Sequence, residues 1–370
     1  MSSLYETCPY NDIARSARWS DAVAAIESDR IDPHVGDAFR VDQSTRIATA
    51  GSCFAQNLAR VLHASGFNHY CVEPAPGWLD EAKRKSFNYG VFSARYGNIY
   101  TPRQLLQLMQ RALGLFKPAE PPWRMSEGRV ADPFRPRIQP NGFDSVAEME
   151  ADREAHLGAV RMMLSSLDVL VFTLGLTESW RSRIDGAVFP VAPGCGAGSF
   201  EPGRHEFHNF RVNEIIDDLS QAVALLHSVN PRAQVLLTVS PVPLVATMTQ
   251  RHVMQATIYS KSVLRTAAEE LTSSNPAVSY FAAYEIAVAT LNASRYFAAD
   301  KRSVTDALVN HVMRCFFDRF ARGATPQSIS QAVSIPLSAE APAAPVQVVC
   351  DENAIAEALA AQITRDSGAK

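Results

Sequence analysis

The string Gly51-Ser52-Cys53 is the first candidate for chemistry in this chain. Gly51 ends the segment 46–51, whose small and β-branched side chains predict a buried strand. Cys53 is followed by residues 54–66, where apolar residues recur at helical spacing. Cys53 is therefore expected at a helix N-terminus, where N–H groups and the helix dipole favour an anion. This position is expected to lower the pKa of the thiol and to raise its nucleophilicity. The alternative is a small residue packed at a tight strand–helix junction.

Two further apolar runs end at polar residues. Residues 167–174 lead into Thr177 and Glu178, and residues 233–240 end at Ser240. Functional crevices of open parallel sheets lie at the carboxyl ends of the strands, so these side chains are expected near the first string. Glu178 is expected to orient a base, to bind a substrate hydroxyl or to be a plain helix N-terminal acid. Ser240 is interpreted as a wall residue of the crevice.

Apolar strands that alternate with helices determine the expected fold. Runs that are apolar on both faces are typical of parallel strands covered by helices on both sides. Helical patterns precede or follow them, and a short strand comes after the last of these helices. This alternation predicts a doubly wound α/β sheet. The predicted helices are residues 146–166, 213–228 and 255–271, and the short strand is residues 278–281.

Composition shifts divide the chain. Residues 101–145 interrupt the alternation with one helix and a proline-containing loop, and residues 334–346 are rich in Pro and Ala, as linkers are. The predicted segments are a lead-in over 1–44 with one amphipathic helix at 20–28, a main domain over 45–321 with an insertion at about 101–145, a Pro/Ala-rich linker over 322–350, and a short helix and tail over 351–370.

Charge and hydropathy exclude several classes of protein. The 370 residues contain 35 Lys and Arg against 38 Asp and Glu, and this balance argues against bulk electrostatic binding to nucleic acid or anionic membranes. The sequence contains no run of about 18 apolar residues, so it predicts no membrane-spanning helix. A polar start and six scattered cysteines predict a cytoplasmic protein with reduced thiols. We expect no metal and no cofactor.

Five motifs in chain order resemble the GSCFA family, beginning with the string Gly-Ser-Cys-Phe-Ala itself. They occupy residues 50–55, 96–102, 173–180, 238–243 and 284–286. The family is similar in plan to the SGNH (GDSL-like) hydrolases. The resemblance therefore implies a flavodoxin-like, three-layer α/β/α fold with a parallel sheet.

The resemblance also implies roles for single residues. Cys53 takes the place of the nucleophilic serine of the Gly-Asp-Ser turn, and Ser52, in the Asp position, is the fallback nucleophile. Gly97 would donate its N–H to an oxyanion. Thr177 stands where the related enzymes carry an Asn amide, so it offers only a hydroxyl there.

The expected catalytic histidine is replaced. Related enzymes carry Asp-x-x-His, whereas this chain has Asp300 followed by Ser303. His311 on the next predicted helix is the nearest substitute for the base, with Asp300 as its partner; the alternative is that His311 merely packs. Residues 204–210 are interpreted as a loop that caps the next helix or covers the site, with Asn209 as a candidate substrate contact.

The resemblance implies acyl chemistry, either an ester hydrolase or an O-acyltransferase of acetyl type. The substrate would be a carbohydrate or another hydroxylated molecule, with an acyl-CoA as a possible donor, and a cysteine or serine acyl-enzyme would carry the acyl group. The alternative is a ligand-binding module whose catalytic histidine is lost. A purely structural partner protein is the third interpretation.

Overall fold

A computed structural model describes residues 8–36, 39–289, 293–322 and 351–368. The chain divides into two compact units. The first comprises Met1–Val41 and Ala282–Val346, and the second comprises Asp42–Phe281 and Gln347–Lys370. Residues 323–350, which include most of the predicted linker, lie outside the described residues.

The described strands and helices follow one another in this order. The strands are β1 (Ile47–Gly51), β2 (Trp123–Arg124), β3 (Val130–Ala131), β4 (Val169–Leu174), β5 (Glu178–Ser182), β6 (Val188–Phe189), β7 (His205–Asn209), β8 (Gln234–Val239) and β9 (Val278–Phe281). The helices are α1 (Cys53–Ala64), α2 (Glu81–Ser86), α3 (Pro102–Ala112), α4 (Val146–Ser166), α5 (Val212–Val229), α6 (Val253–Ser274), α7 (Ala283–Ala289), α8 (Ala293–Tyr296), α9 (Asp306–Phe320) and α10 (Asn353–Gly368).

A four-stranded parallel sheet, in the order β1-β4-β8-β9, forms the core of the second unit. Every residue of β1 and β4 is buried, which is why both runs are apolar or small on both faces. Helix α1 packs on β1 and β4, and α6 packs on β8 and β9. The predicted α/β fold with a parallel sheet flanked by helices is confirmed.

The chain order reverses at β1. A single parallel bridge joins Ile47 to His69 on the edge of β1 that faces away from β4. The segment that follows α1 thus pairs with one side of β1, and β4, β8 and β9 follow one another on the other side. In open α/β sheets the crevice for ligands lies at such a reversal, at the carboxyl ends of the strands, and here that point falls between β1 and β4.

Smaller elements differ from the sequence-based expectation. Residues 205–209, predicted as part of a loop, form β7, which pairs with β5 in an antiparallel sheet in the order β6-β5-β7. The predicted lead-in helix is only a five-residue π-helical turn, Ser20–Ala24. Both predictions were wrong because contacts with other segments of the protein, and not local periodicity, decide the conformation of such short segments.

The first unit contains the helix that carries His311. Helix α9 packs on α7 and α8, and Val41 pairs with Ala321 just beyond its end. Among the described residues, no helix combines the length and the apolar character that a membrane span requires.

Candidate functional site

The site begins where β1 approaches β4 closely. Gly51 has φ +140°, and a Cβ at this position would lie 2.5 Å from the carbonyl oxygen of Thr173. Only glycine allows this approach. The next amide, that of Ser52, donates to the same carbonyl at 3.2 Å, so the turn into α1 is anchored to β4.

The second motif of the chain docks against the same turn. The N–H of Ile99 donates to the carbonyl of Gly51 at 2.9 Å. Beyond it, the carbonyl of Tyr100 accepts from the amides of Gly175 and Leu176 at 2.9 and 3.0 Å. Three motifs that are far apart in sequence therefore meet here, and Gly51–Cys53, Gly97–Tyr100 and Gly175–Thr177 are called the strand-end site below.

Cys53 is the first residue of α1 and is 7% exposed. Ser52 precedes it with an extended backbone, and the Ser52 side chain does not cap the helix. Cys53 forms no disulfide with another described residue. The geometry brings the thiol to a helix N-terminus, as the sequence predicted, while its lowered pKa and its role as nucleophile stay predictions.

Several hydroxyls at these strand ends have no hydrogen-bond partner in the described part of the chain. They are buried and belong to Ser52, Thr173, Thr177 and Thr238. A buried hydroxyl without a partner costs about 1–3 kcal/mol, so such a group needs an explanation. Ser240 differs, since its hydroxyl accepts from the amide of Val242 at 3.3 Å.

A buried lysine holds the third motif in place. Lys261 of α6 is 1% exposed, and its Nζ donates to the carbonyl of Gly175 at 2.7 Å. The hydroxyl of the preceding Ser260 accepts from the amide of Thr177 at 3.0 Å. Neither residue is among those that the sequence predicts for the site. Lys261 stands three residues before the buried Leu264, and a lysine on an apolar helical face was the signal available.

A carboxylate from the C-terminal segment already occupies two donors of the second motif. The backbone amide and the side-chain Nδ2 of Asn98 both donate to Asp351, the latter at 3.0 Å. Asn98 in turn accepts from Gln56 of α1 at 3.2 Å. Burial raises the pKa of Asp351. The predicted donor, Gly97, precedes Asn98 with φ +71°.

Glu178 and Asn209 lie outside this cluster of contacts. Glu178 begins β5 instead of a helix, and its carboxylate accepts from the hydroxyl of Thr247 at 2.6 Å and from the amide of Met248 at 3.1 Å. It thus fixes the loop that follows β8. Asn209 is paired with Glu178 across β5 and β7, and its Oδ1 has no partner among the described residues.

The residues predicted as the base and its partner belong to the first unit. His311 is 3% exposed, with Nε2 2.8 Å from the carbonyl of Ile31 and Nδ1 2.5 Å from the hydroxyl of Tyr296. The carbonyl requires Nε2 to donate, so Nδ1 accepts from the tyrosine, and neither nitrogen has spare capacity. Asp300 accepts from the Ser303 hydroxyl at 2.6 Å. This bonding is typical of structural residues.

Comparisons with known proteins place the chain in one family. The GSCFA family model matches residues 46–316, nearly three quarters of the chain. No curated protein and no solved structure shows significant similarity to it. Within the described residues, no group of three or more His, Cys, Asp or Glu side chains could hold a metal ion.

Proposed function

The chain belongs to the GSCFA family, and we propose that it is an esterase or O-acyltransferase of the SGNH-hydrolase type that works through Cys53. The observation that carries the proposal is the oxyanion contact at Asn98, where two N–H donors of the second motif converge on one carboxylate. Donors that hold a carboxylate oxygen are suited to the oxygen of a tetrahedral intermediate. Gln56 links them to the first turns of α1, which Cys53 begins.

In the proposed reaction, the Cys53 thiolate attacks the carbonyl carbon of an ester. The carbonyl oxygen becomes an oxyanion that accepts from the donors at Asn98 and at the start of α1. Collapse breaks the C–O bond, the leaving alkoxide takes a proton from solvent, and a thioester remains. Water or an acceptor hydroxyl then attacks the thioester carbonyl and loses its proton to solvent, and the C–S bond breaks to restore the thiolate. The buried Lys261 holds Gly175 in place, because its Nζ donates to the carbonyl of that residue.

The unpartnered hydroxyls of Ser52 and Thr177 support a polar substrate. Both groups are buried, and both can donate to or accept from a hydroxylated ligand such as a carbohydrate. Asp351 must leave the Asn98 donors before a substrate oxygen can take them.

A second candidate is a binding module without turnover. The observation in its favour is the bonding of His311 and Asp300, which leaves the related enzymes' acid–base pair without a counterpart.

Alkylation by iodoacetamide at about pH 6.5 distinguishes the two candidates, because only an activated thiol reacts quickly there. We expect Cys53 to be labelled before Cys195, although Cys195 is the more exposed thiol. One reason is that burial raises the pKa of Cys195, so less of it is thiolate. Peptide mapping of the wild type and of Cys195→Ala locates the label. Labelling of Cys195 with Cys53 unmodified would favour the binding module.

A further inference from the structure

A cavity in the second unit is lined in part by residues of the second motif. Asn98 and Ile99 line it, together with Arg111 of α3, Phe134 and His156 of α4. The last three residues have no role in the proposed acyl transfer. Two of them carry polar groups whose bonding capacity is unmet.

Arg111 is a buried cation that makes no hydrogen bond to a described residue. It is 9% exposed, and its guanidinium forms no hydrogen bond and no ion pair with any described residue. Its Cζ lies 4.2 Å from the ring centroid of Phe134. A cation–π contact offsets only part of the cost of removing a guanidinium from water.

The arginines around Arg111 are all paired. Asp132 accepts from Arg135 at 3.0 Å and from Arg153 at 2.8 Å, and Asp152 accepts from Arg135 at 2.7 Å and from Arg95 at 2.9 Å. Asp132 also attracts the Arg111 cation, but its hydrogen bonds go to Arg135 and Arg153. With Glu73, three carboxylates face four arginines, so the positive charges outnumber the negative ones by one. Burial lowers the pKa of Arg111 only to about 10, and it remains a cation at neutral pH.

His156 contributes an acceptor to the same cavity. Its Nδ1 lies 2.7 Å from a carboxylate oxygen of Glu73 and donates to it, while Nε2 is buried with no partner among the described residues. Burial lowers the pKa of His156 to about 4, so the ring is neutral and Nε2 carries a lone pair. This nitrogen can accept from a hydroxyl but cannot donate to an anion.

We propose that this cavity binds an oxyanion that carries a hydroxyl, in which the guanidinium of Arg111 donates to the charged oxygen and Nε2 of His156 accepts from the hydroxyl. A hydroxycarboxylate and monohydrogen phosphate both have this chemistry. Planar, bidentate recognition of carboxylate and phosphate is what arginine does best. The proposal does not depend on acyl transfer, since neither Arg111 nor His156 takes part in the reaction proposed for Cys53.

The test measures binding of three probes to the full chain by calorimetry at constant ionic strength: glycolate, acetate and inorganic phosphate. Glycolate and acetate differ by one hydroxyl, and phosphate identifies the alternative anion. The variants are Arg111→Met, Arg111→Lys and Cys53→Ala. Arg265→Met is the matched control, because Arg265 also lies over an aromatic ring, at 4.1 Å from Tyr280, but is paired with Glu269.

We expect the wild type to bind glycolate or phosphate, with glycolate tighter than acetate, and Arg111→Met to weaken this binding by at least about tenfold. Arg265→Met and Cys53→Ala should bind as the wild type does. Without ligand, Arg111→Met should keep or raise the melting temperature, since it removes a buried charge that forms no hydrogen bond with the described residues. Arg111→Lys keeps the charge without the planar fork and should bind more weakly, which decides the matter if the Met variant does not fold. Unchanged binding in the Arg111 variants, or no binding of any probe by the wild type, would overturn the proposal.

Discussion

The strand ends of the second unit and helix α9 of the first unit both bury polar side chains, but they bond them differently. At the strand ends, the hydroxyls of Ser52, Thr173 and Thr177 have no partner among the described residues. On α9, both nitrogens of His311 are engaged. A fold gains nothing from buried hydroxyls without partners, whereas a ligand can supply the missing hydrogen bonds.

Two buried histidines differ in their hydrogen bonding in the same way. His311, which the sequence marks as the candidate base, has no spare lone pair or proton, whereas His156, which the sequence does not mark, has an Nε2 that no described residue contacts by a hydrogen bond. Residue type and spacing suggest chemistry, but unmet bonding capacity is what separates a candidate site from a well-packed interior.

The largest expected effect concerns the close approach at Gly51. Gly51→Ala should lower the free energy of unfolding by more than about 4 kcal/mol, because the new Cβ overlaps Thr173 at a backbone angle that only glycine adopts. Urea unfolding or the soluble yield measures this loss. The control is Gly158→Ala in α4, where a Cβ meets nothing within 4 Å, and this variant should gain about 0.5–1 kcal/mol. A stable Gly51→Ala variant would refute the geometry of the site.

The second expected effect is a dependence of stability on pH that comes from His156. Burial lowers its folded pKa to about 4, so its contribution is complete above the unfolded pKa and is lost as the pH falls towards 4. The loss amounts to about 3 kcal/mol at most. Urea unfolding at a series of pH values should give a flatter profile for His156→Gln.

The third prediction tests whether His311 is structural. His311→Gln should cost about 1–3 kcal/mol of stability, because two buried hydrogen bonds change, and should leave the rate per folded molecule with p-nitrophenyl acetate unchanged. Tyr296→Phe removes the hydroxyl alone, and its effect should not add to that of His311→Gln. A large loss of rate at full stability would instead identify His311 as the base.

The smallest effect contrasts two threonines that are both fully buried. Thr101 caps α3, and its hydroxyl accepts from the amide of Gln104 at 3.2 Å, so Thr101→Val should cost about 1 kcal/mol. Thr177→Val removes a hydroxyl that has no hydrogen-bond partner in the described part of the chain. It should leave stability unchanged or slightly higher, and it should lower the rate with p-nitrophenyl acetate. A loss of stability in Thr177→Val would show that the Thr177 hydroxyl does have a hydrogen-bond partner in the folded protein.

The main sheet could be predicted from the sequence because burial on both faces leaves continuous apolar runs. The predicted helix at 146–166 and the strand at 278–281 match α4 and β9 residue for residue. The string Gly51-Ser52-Cys53 could be placed at a strand end for the same reason. Segment β7 could not, since its conformation depends on pairing with β5.

The hydrogen-bond partners of the site residues could not be predicted from the sequence. Asn98 meets Asp351, which lies 253 residues further along the chain, and no local pattern predicts that contact. Lys261 was accessible in principle, because a lysine on an apolar helical face requires an acceptor. Orphan groups such as the hydroxyl of Ser52 are recognised only when all neighbours are known.

The central claim is that Cys53 carries the acyl group, and the most direct measurement is the intact mass of the protein after reaction with p-nitrophenyl acetate. We expect the wild type and Ser52→Ala each to gain the mass of one acetyl group, mapped to Cys53, and Cys53→Ala to gain none. An acetyl group that persists in Cys53→Ala, or that maps to Ser52, would contradict it.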